Sequence, residues 1–598
     1  MRDISYDVFA LRKKTAIKIL LKSLIWAFAL FGAFFILLLF ALVGMVSSSP
    51  TVAEVPDKAV LTVDFDNSYG EVRDDSLLAD VSGGGSPAFV DMLAALETAA
   101  FDDRIKAVAG RIHISDFGLA QMQELYQMVM TLRHQGKKTY IFAPGFGSFG
   151  GGTAEYFLAT AFDEITMLPN TEVGLTGVSA EVPFAKGLLD RIGVTPEFYA
   201  RYEYKGGMAS FTDEKASQPF KENMVKMLGS LNFTMFSTIN KTRFGNEKSD
   251  DVLKLIDKAP FSAEYALKKK LIDRIEYESD WLERIKNEHE AETIDLADYV
   301  SGVYPLKGKK SIAVMVLEGT ISDNVSATAL SESEITPAQV LQQVDELSKE
   351  ENLSGVLVRI NSPGGSYNAS NEIWHALVKL KETKKIPLYV SMGDYAASGG
   401  YFVALAGDKI FATDVTVTGS IGVFGGKFVL ENLWKKLNVN WELFDVADNS
   451  GILSPNFKFS PSQKKAFEAS LDSVYKDFTD KVAKARKIDA KAMDKIARGR
   501  IWTGADALQN GLVDELGGLE NALLALKNAA GIEKDEPVTL LMYPKPKTFQ
   551  EKLSEALNMP QMRKAQVTGE KLGIDSEVIN MLKRLQYNAI LPPIIFKM

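Results

Sequence analysis

The chain has 598 residues, 46% hydrophobic and 24% charged, with 45 Gly and 21 Pro; it can bury large cores, which excludes a disordered chain and a single small domain. A formal net charge of -9 supplies no basic field to hold a phosphate backbone, so nucleic acid is not an expected partner. The absence of cysteine removes disulfides, thiolate metal sites and cysteine nucleophiles, and His113, His134, His289 and His375 are the only imidazoles on offer as a base.

Residues 23–46 carry no charge, and about 20 apolar residues span a bilayer as a helix. A transmembrane helix is therefore expected there. Arg2, Arg12, Lys13, Lys14, Lys18 and Lys22 precede it and few basic residues follow, so residues 1–22 are expected in the cytoplasm and everything beyond a linker at 47–57 on the far side. A cleavable signal peptide is the competing reading, although its apolar stretch is ordinarily about 7–15 residues.

Beyond residue 58 one pattern is written twice. Ser86-Pro87 and Thr336-Pro337 each cap an amphipathic helical stretch that runs into an apolar strand ending at Arg111-Ile112 or Arg359-Ile360. Residues 137–144 then match 384–392, and Tyr156 with its neighbours matches Tyr401. Each half opens with an apolar strand (59–65 and 311–317) and alternates helices with strands. That alternation predicts an α/β fold of right-handed β-α-β units around a mainly parallel sheet. The halves are placed at 58–300 and 308–545, with Gly308-Lys309-Lys310 as the seam. A helical tail at 546–598 follows, whose apolar stretch 590–596 suits contact with a membrane or a neighbouring subunit.

In the second half Arg359-Ile360 leads into Asn361-Ser362-Pro363-Gly364-Gly365. Adjacent glycines between strand and helix let bare N–H groups face a ligand, as an oxyanion hole requires, or simply make a tight turn. The first half has His113 to Phe117 there instead. Further on, Ser398 stands between a strand and an apolar helix, where its hydroxyl is uncrowded; it reads as a nucleophile or as an ordinary helix cap. Ala396 two residues earlier excludes the nucleophile elbow of α/β-hydrolases, and the first half has Thr153 at the matching place. For a base, His375 falls on a helix as packing residues do, while His134 and His289 read as solvated. Lysine must then be considered, since burial lowers its proton affinity. The duplication selects one: Lys205, in the strand-like stretch 193–211 beside Gly206-Gly207, corresponds to Ser450 in the second half. One half kept the lysine and the other the serine and glycine turn, which predicts a composite site. Phe198, Tyr199 and Met208 supply apolar neighbours that would keep the amine neutral.

The stretch SMGDYAASGGYFVALAGDKI around Ser398, RINSPGGS at 359–366, TGSIGVFGG at 418–426 and YKGGMASF around Lys205 closely resemble the signal peptide peptidase A (protease IV) family in its long membrane-anchored bacterial form, over both halves and the anchor. The resemblance implies tandem Clp-protease/crotonase-like domains and a serine–lysine endopeptidase without metal or cofactor. In it Ser398 is the nucleophile, Lys205 the base, the N–H groups of Gly365 and Gly399 the oxyanion donors, and Ser420 the residue orienting the amine, or else a capped turn. It further implies a homotetramer in the bacterial inner membrane, crossing once, with its catalytic part in the periplasm, cutting signal peptides and other hydrophobic peptides left in the lipid bilayer. Gly206-Gly207 is looser than the family pattern. Two rival readings stand beside this one. GFGSFG at 145–150, with Asp163 beyond it, satisfies a dinucleotide-binding fingerprint, though it follows two earlier strands and aligns with the serine turn. A membrane-tethered inactive scaffold for hydrophobic peptides is the other.

Overall fold

Alternating apolar strands and capped helices give each half a parallel sheet covered by helices. This is a computed structural model; it describes residues 54–66, 69–72, 88–147, 151–245, 256–303, 308–324, 334–534, 536–545 and 595–597, all within one compact unit. The first sheet runs Glu292–Asp295, Ala59–Asp64, Ile105–Arg111, Lys138–Ala143, Glu164–Met167, Arg274–Ile275, every neighbour parallel. In the second sheet Val538–Tyr543, Lys310–Glu318, Leu353–Ser362, Leu388–Ala397, Lys409–Ala412 and Glu515–Leu516 follow in the same spatial order, again parallel. The opening strands are almost wholly buried, which is why they read as unbroken apolar runs rather than alternating ones.

Polar anchors repeat along with the strands. Tyr156 and Tyr401 donate their hydroxyls to the carbonyls of Leu271 and Leu512 at 2.7 and 2.9 Å. Arg243 pairs with Asp273 and Arg486 with Asp514, and those carboxylates accept the N–H groups of Ile165 and Ile410, both at 2.8 Å. Thr336 caps the helix Pro337–Lys349 in a reciprocal box with Gln339. Its expected counterpart Ser86 lies outside the described residues; the first-half helix is Phe89–Phe101, with Asp91 accepting the Ala88 N–H.

Among the contacts that join the halves, two stand out. The strand Thr195–Ala200 of the first pairs antiparallel with Phe424–Val429 of the second. Deep between them Arg359, fully buried, donates to Glu71 at 2.8 and 3.1 Å and to Glu124 at 2.5 Å, both from the first half. The larger apolar core accordingly mixes Leu61, Met122 and Val129 with Val314, Leu357 and Leu526.

Helix Leu296–Val303 runs past the boundary expected at 300. Residues 1–53, including the expected spanning segment 23–46, lie outside the described residues, as do 546–594 of the tail. Among the described residues no helix is long and apolar enough to cross a membrane. Within the apolar end of the tail, Ile595–Lys597 forms a strand antiparallel to Ser179–Glu181.

Candidate active site

Ser398 owes its position to an extension found in one half alone. The strand Leu388–Ala397 has ten residues where its counterpart Lys138–Ala143 has six, and the extra length pairs with Val417–Gly419. At its end Ser398 donates its N–H to Gly419 O at 2.9 Å and accepts Phe402 N–H at 2.9 Å, starting the helix Gly399–Ala404. Its backbone is at φ 54°, ψ -116°, the first central position of a type II′ turn, which belongs to glycine. The side chain makes no cap bond to the helix, so the ordinary-cap reading fails. Although the sequence lacks the α/β-hydrolase elbow, the serine is presented on a strained turn all the same.

Lys205 reaches it from the other half. The stretch 193–211, expected to carry the lysine within a strand, is a strand only over Thr195–Ala200, and the chain goes on along the second half through an Arg201 N–H to Val423 O bond of 2.8 Å. Tyr202 turns it at φ 68°, and Tyr204 N–H meets Arg498 O at 3.2 Å. Gly206 and Gly207 explain themselves here: a Cβ at either would come within 2.7 Å of the Phe220 or Phe424 ring. Sequence reasoning missed two further glycines. A Cβ on Gly499 would lie 2.4 Å from Lys205 N, and one on Gly422 would lie 3.2 Å from Lys205 Cδ, so both clear the lysine's path.

The Lys205 amine lies 2.9 Å from Ser398 Oγ, 2.9 Å from Ser420 Oγ and 2.8 Å from Ser420 O. A carbonyl can only accept, so one N–H goes to Ser420 O and a second to its hydroxyl. A neutral amine then turns its lone pair to Ser398, whose O–H donates. Lys205 is 8% exposed, and burial pushes its pKa down from 10.5 to about 7. Ser420 holds this pose at φ 50°, with its own N–H on Arg500 O at 2.7 Å.

The glycine turn completes the geometry. Gly365 is pressed so close to Ile321 that a Cβ would meet its carbonyl oxygen, and Gly364 is held by Ser362 Oγ at 3.2 Å. A Cβ on Gly399 would lie 3.0 Å from Gly365 N. The Gly365 and Gly399 backbones therefore lie close together beside Ser398, and neither N–H finds an acceptor among the described residues. Such paired donors can receive a negative oxygen.

Other candidates fall elsewhere. His375 is exposed on the helix Tyr367–Lys384, and His134 is exposed as expected. His289, expected to be solvated, is half-buried and bonded to the Tyr140 hydroxyl at 3.0 Å. Thr153 is buried and accepts Gly177 N–H, while Ser450 bonds to Ala447 and Gln463, so the matching positions of each half became structural. In the GFGSFG turn Gly147 packs on the backbone of Gly151; residues 148–150 lie outside the described residues.

The pattern of peptidase family S49 matches residues 132–292 and 380–533, one segment in each half, and that of Clp protease matches 324–416. The chain belongs to peptidase family S49. It is 29% identical to the chloroplastic serine protease SPPA of Arabidopsis thaliana over 75% of this chain and 67% of that one. It is 30% identical to Protease 4 of Salmonella typhi over 70% and 69% of the two chains. It is 36% identical to a putative signal peptide peptidase SppA of Enterococcus faecium over 36% and 63%. This S49 chain is thus a serine peptidase with a Clp protease-like α/β fold carrying its two S49 segments in tandem, and both rival readings drop out.

Proposed function

We propose that this S49 peptidase is a membrane-anchored endopeptidase that degrades signal peptides remaining in the bilayer after preprotein processing, with Ser398 as nucleophile and Lys205 as general base. The observation that carries the chemistry is the buried Lys205 amine 2.9 Å from Ser398 Oγ. As Oγ bonds to the substrate carbonyl carbon, its proton moves to the amine. The Gly365 and Gly399 amides take the developing negative oxygen. When the tetrahedral adduct collapses, the ammonium gives that proton to the departing nitrogen. The amine then deprotonates a water that hydrolyses the acyl-enzyme, and Ser398 regains its hydroxyl proton. Ser420 orients the amine throughout by accepting two of its hydrogen bonds.

The substrate class rests on the name of the Enterococcus relative and the motifs around Ser398. The uncharged stretch 23–46 with its basic flank supports a single-pass anchor in a bacterial inner membrane and a periplasmic catalytic part. Assembly into a homotetramer is the remaining part of the reading. A fluorophosphonate should label the wild-type serine and not Ser398→Ala, and detergent-solubilised enzyme should cut a synthetic signal peptide. Undiminished labelling of Ser398→Ala, or full activity in Lys205→Ala at neutral pH, refutes the dyad. Resistance of a synthetic signal peptide beside ready cleavage of polar peptides refutes the substrate.

A further inference from the structure

The tripeptide Arg498-Gly499-Arg500 touches both the loop that carries Lys205 and the turn that carries Ser420. Its backbone accepts Tyr204 N–H at Arg498 O and Ser420 N–H at Arg500 O, and Gly499 N–H donates to Ile421 O at 2.8 Å. Its two arginines then fold back over the lysine loop. The Arg500 guanidinium lies 3.5 Å from the centre of the Tyr204 ring and that of Arg498 lies 4.4 Å from Tyr202. At such distances a guanidinium is held by the ring face.

Carboxylates lock the stack from three elements. Glu203 of the lysine loop bonds to Arg498 at 3.3 Å, Asp494 at the end of the helix Ala490–Ile496 bonds to it at 3.1 Å, and Glu222 of the helix Gln218–Phe244 bonds to Arg500 at 3.2 Å. The Tyr204 hydroxyl donates to Glu222 at 3.1 Å. From the helix Pro461–Arg486, the Tyr475 ring packs at a tilt against Tyr202, centres 4.8 Å apart, and its hydroxyl accepts Arg498 N–H.

We propose that Arg498 and Arg500 are positioning residues for the peptidase reaction, clamping the Tyr202 to Lys205 loop onto the second half so that the amine stays aligned with Ser398 and shut off from water. The proposal rests on the serine–lysine reading above. Its physical content is a sign. Opening the clamp admits water to the amine, whose pKa is held down by burial. Hydration favours the ammonium form and so raises the pH at which the base becomes neutral.

The test is kcat/KM against pH for the full chain in detergent, with a fluorogenic peptide, for wild type, Arg498→Ala, Arg500→Ala and the double variant. Rates are normalised by fluorophosphonate titration so that only folded enzyme counts. The acid limb of the double variant should move up by about one pH unit, giving roughly a fivefold loss at pH 7 that approaches tenfold at lower pH and recovers by about pH 9, in kcat rather than KM. Tyr204→Leu removes the stack from its other side and should shift the limb in the same direction, whereas Tyr204→Phe, which keeps a ring, should shift it less. These tyrosine variants decide the matter if the alanine variants do not fold. A uniform loss at every pH, or a limb that stays in place, overturns the clamp. Lys205→Ala run alongside separates the two ideas: if it keeps the wild-type rate and limb, the dyad itself is wrong, whatever the arginines do.

Discussion

An amine that is charged in water can lose its proton near neutral pH beside Ser398, and burial is the cause: the Lys205 pKa falls from 10.5 to about 7. Activity should therefore drop about tenfold per pH unit below about pH 7 as the ammonium forms. The same shift has a stability consequence. Between the folded value and the ordinary one the unfolded chain binds a proton that the folded chain does not, so stability rises with pH across that window. The cost of burying Lys205 is full below about pH 7, on the order of 4–5 kcal/mol, and vanishes as pH rises through the ordinary lysine value. Lys205→Met should be inactive yet more stable at pH 7 by about 2–3 kcal/mol, once lost hydrogen bonds are deducted. In urea unfolding that gain should shrink steadily toward pH 10; a gain that grows with pH contradicts the assignment. Ser398 stores strain of another kind. Its φ of 54° with ψ -116° is a glycine conformation, worth about 1–3 kcal/mol. Ser398→Gly should therefore unfold at higher urea than Ser398→Ala, by about 1 kcal/mol, since alanine keeps the strain and glycine releases it.

Loops and strand ends build this site, and close backbone approach decides which residues they tolerate. The strand Leu388–Ala397 outgrows its first-half counterpart and so delivers Ser398 beside Gly419. The strand Thr195–Ala200 crosses to Phe424–Val429 and so delivers Lys205. Gly499 lies under the lysine at φ 85° with no room for a Cβ. Gly499→Ala should displace the amine by a fraction of an ångström or more and lower kcat by about 10²-fold. Circular dichroism should report a folded chain, because the change pushes on one surface loop rather than on a sheet. An unaltered kcat in that variant would mean that the lysine's path is less confined than the contacts indicate.

Across the whole molecule the junction of the halves is held by a charge that has no access to water. Arg359 is 0% exposed, and besides Glu71 and Glu124 it donates to Ser391 Oγ at 3.0 Å and Met392 O at 3.2 Å. Burial pushes the Glu124 carboxyl up to about 7, against the pull of Arg359. On the strand Leu388–Ala397, Asp394 accepts Ala120 N–H at 2.7 Å and is likewise pushed up, to about 6. Arg359→Leu would strand these acids and should cost about 3–5 kcal/mol, whereas replacing Arg359, Glu71 and Glu124 together by apolar residues should recover most of it. Denaturation midpoints of both variants check this; equal losses would show that the ion cluster is not what joins the halves. Much of this was legible beforehand. The alternation of strands and helices around a parallel sheet follows from apolar runs separated by capped helices, and the duplication from matched residues such as Tyr156 and Tyr401, because local propensity and periodicity act over neighbouring residues; the spatial order of the strands does not. Ser398, Lys205 and the glycine turn are legible from motif and from complementary loss between the halves, while the roles of Gly365, Gly399 and Ser420 come only with the family resemblance. Arg359 was visible only as a repeat marker, and neither Gly499 nor the arginines beside it gave any signal. Their partners in the other half, Glu71 and Glu124 for Arg359 and the Tyr202 to Lys205 loop for the other three, lie hundreds of residues away in the chain, and a side chain's burial, charge state and clearance depend on which surfaces meet. Sequence by itself determined which chemistry the chain carries and in which halves its parts reside; the meeting of those halves decided that the amine is dry, gives up its proton near neutral pH and lies within a hydrogen bond of the serine, since desolvation exists only once distant surfaces have closed over it.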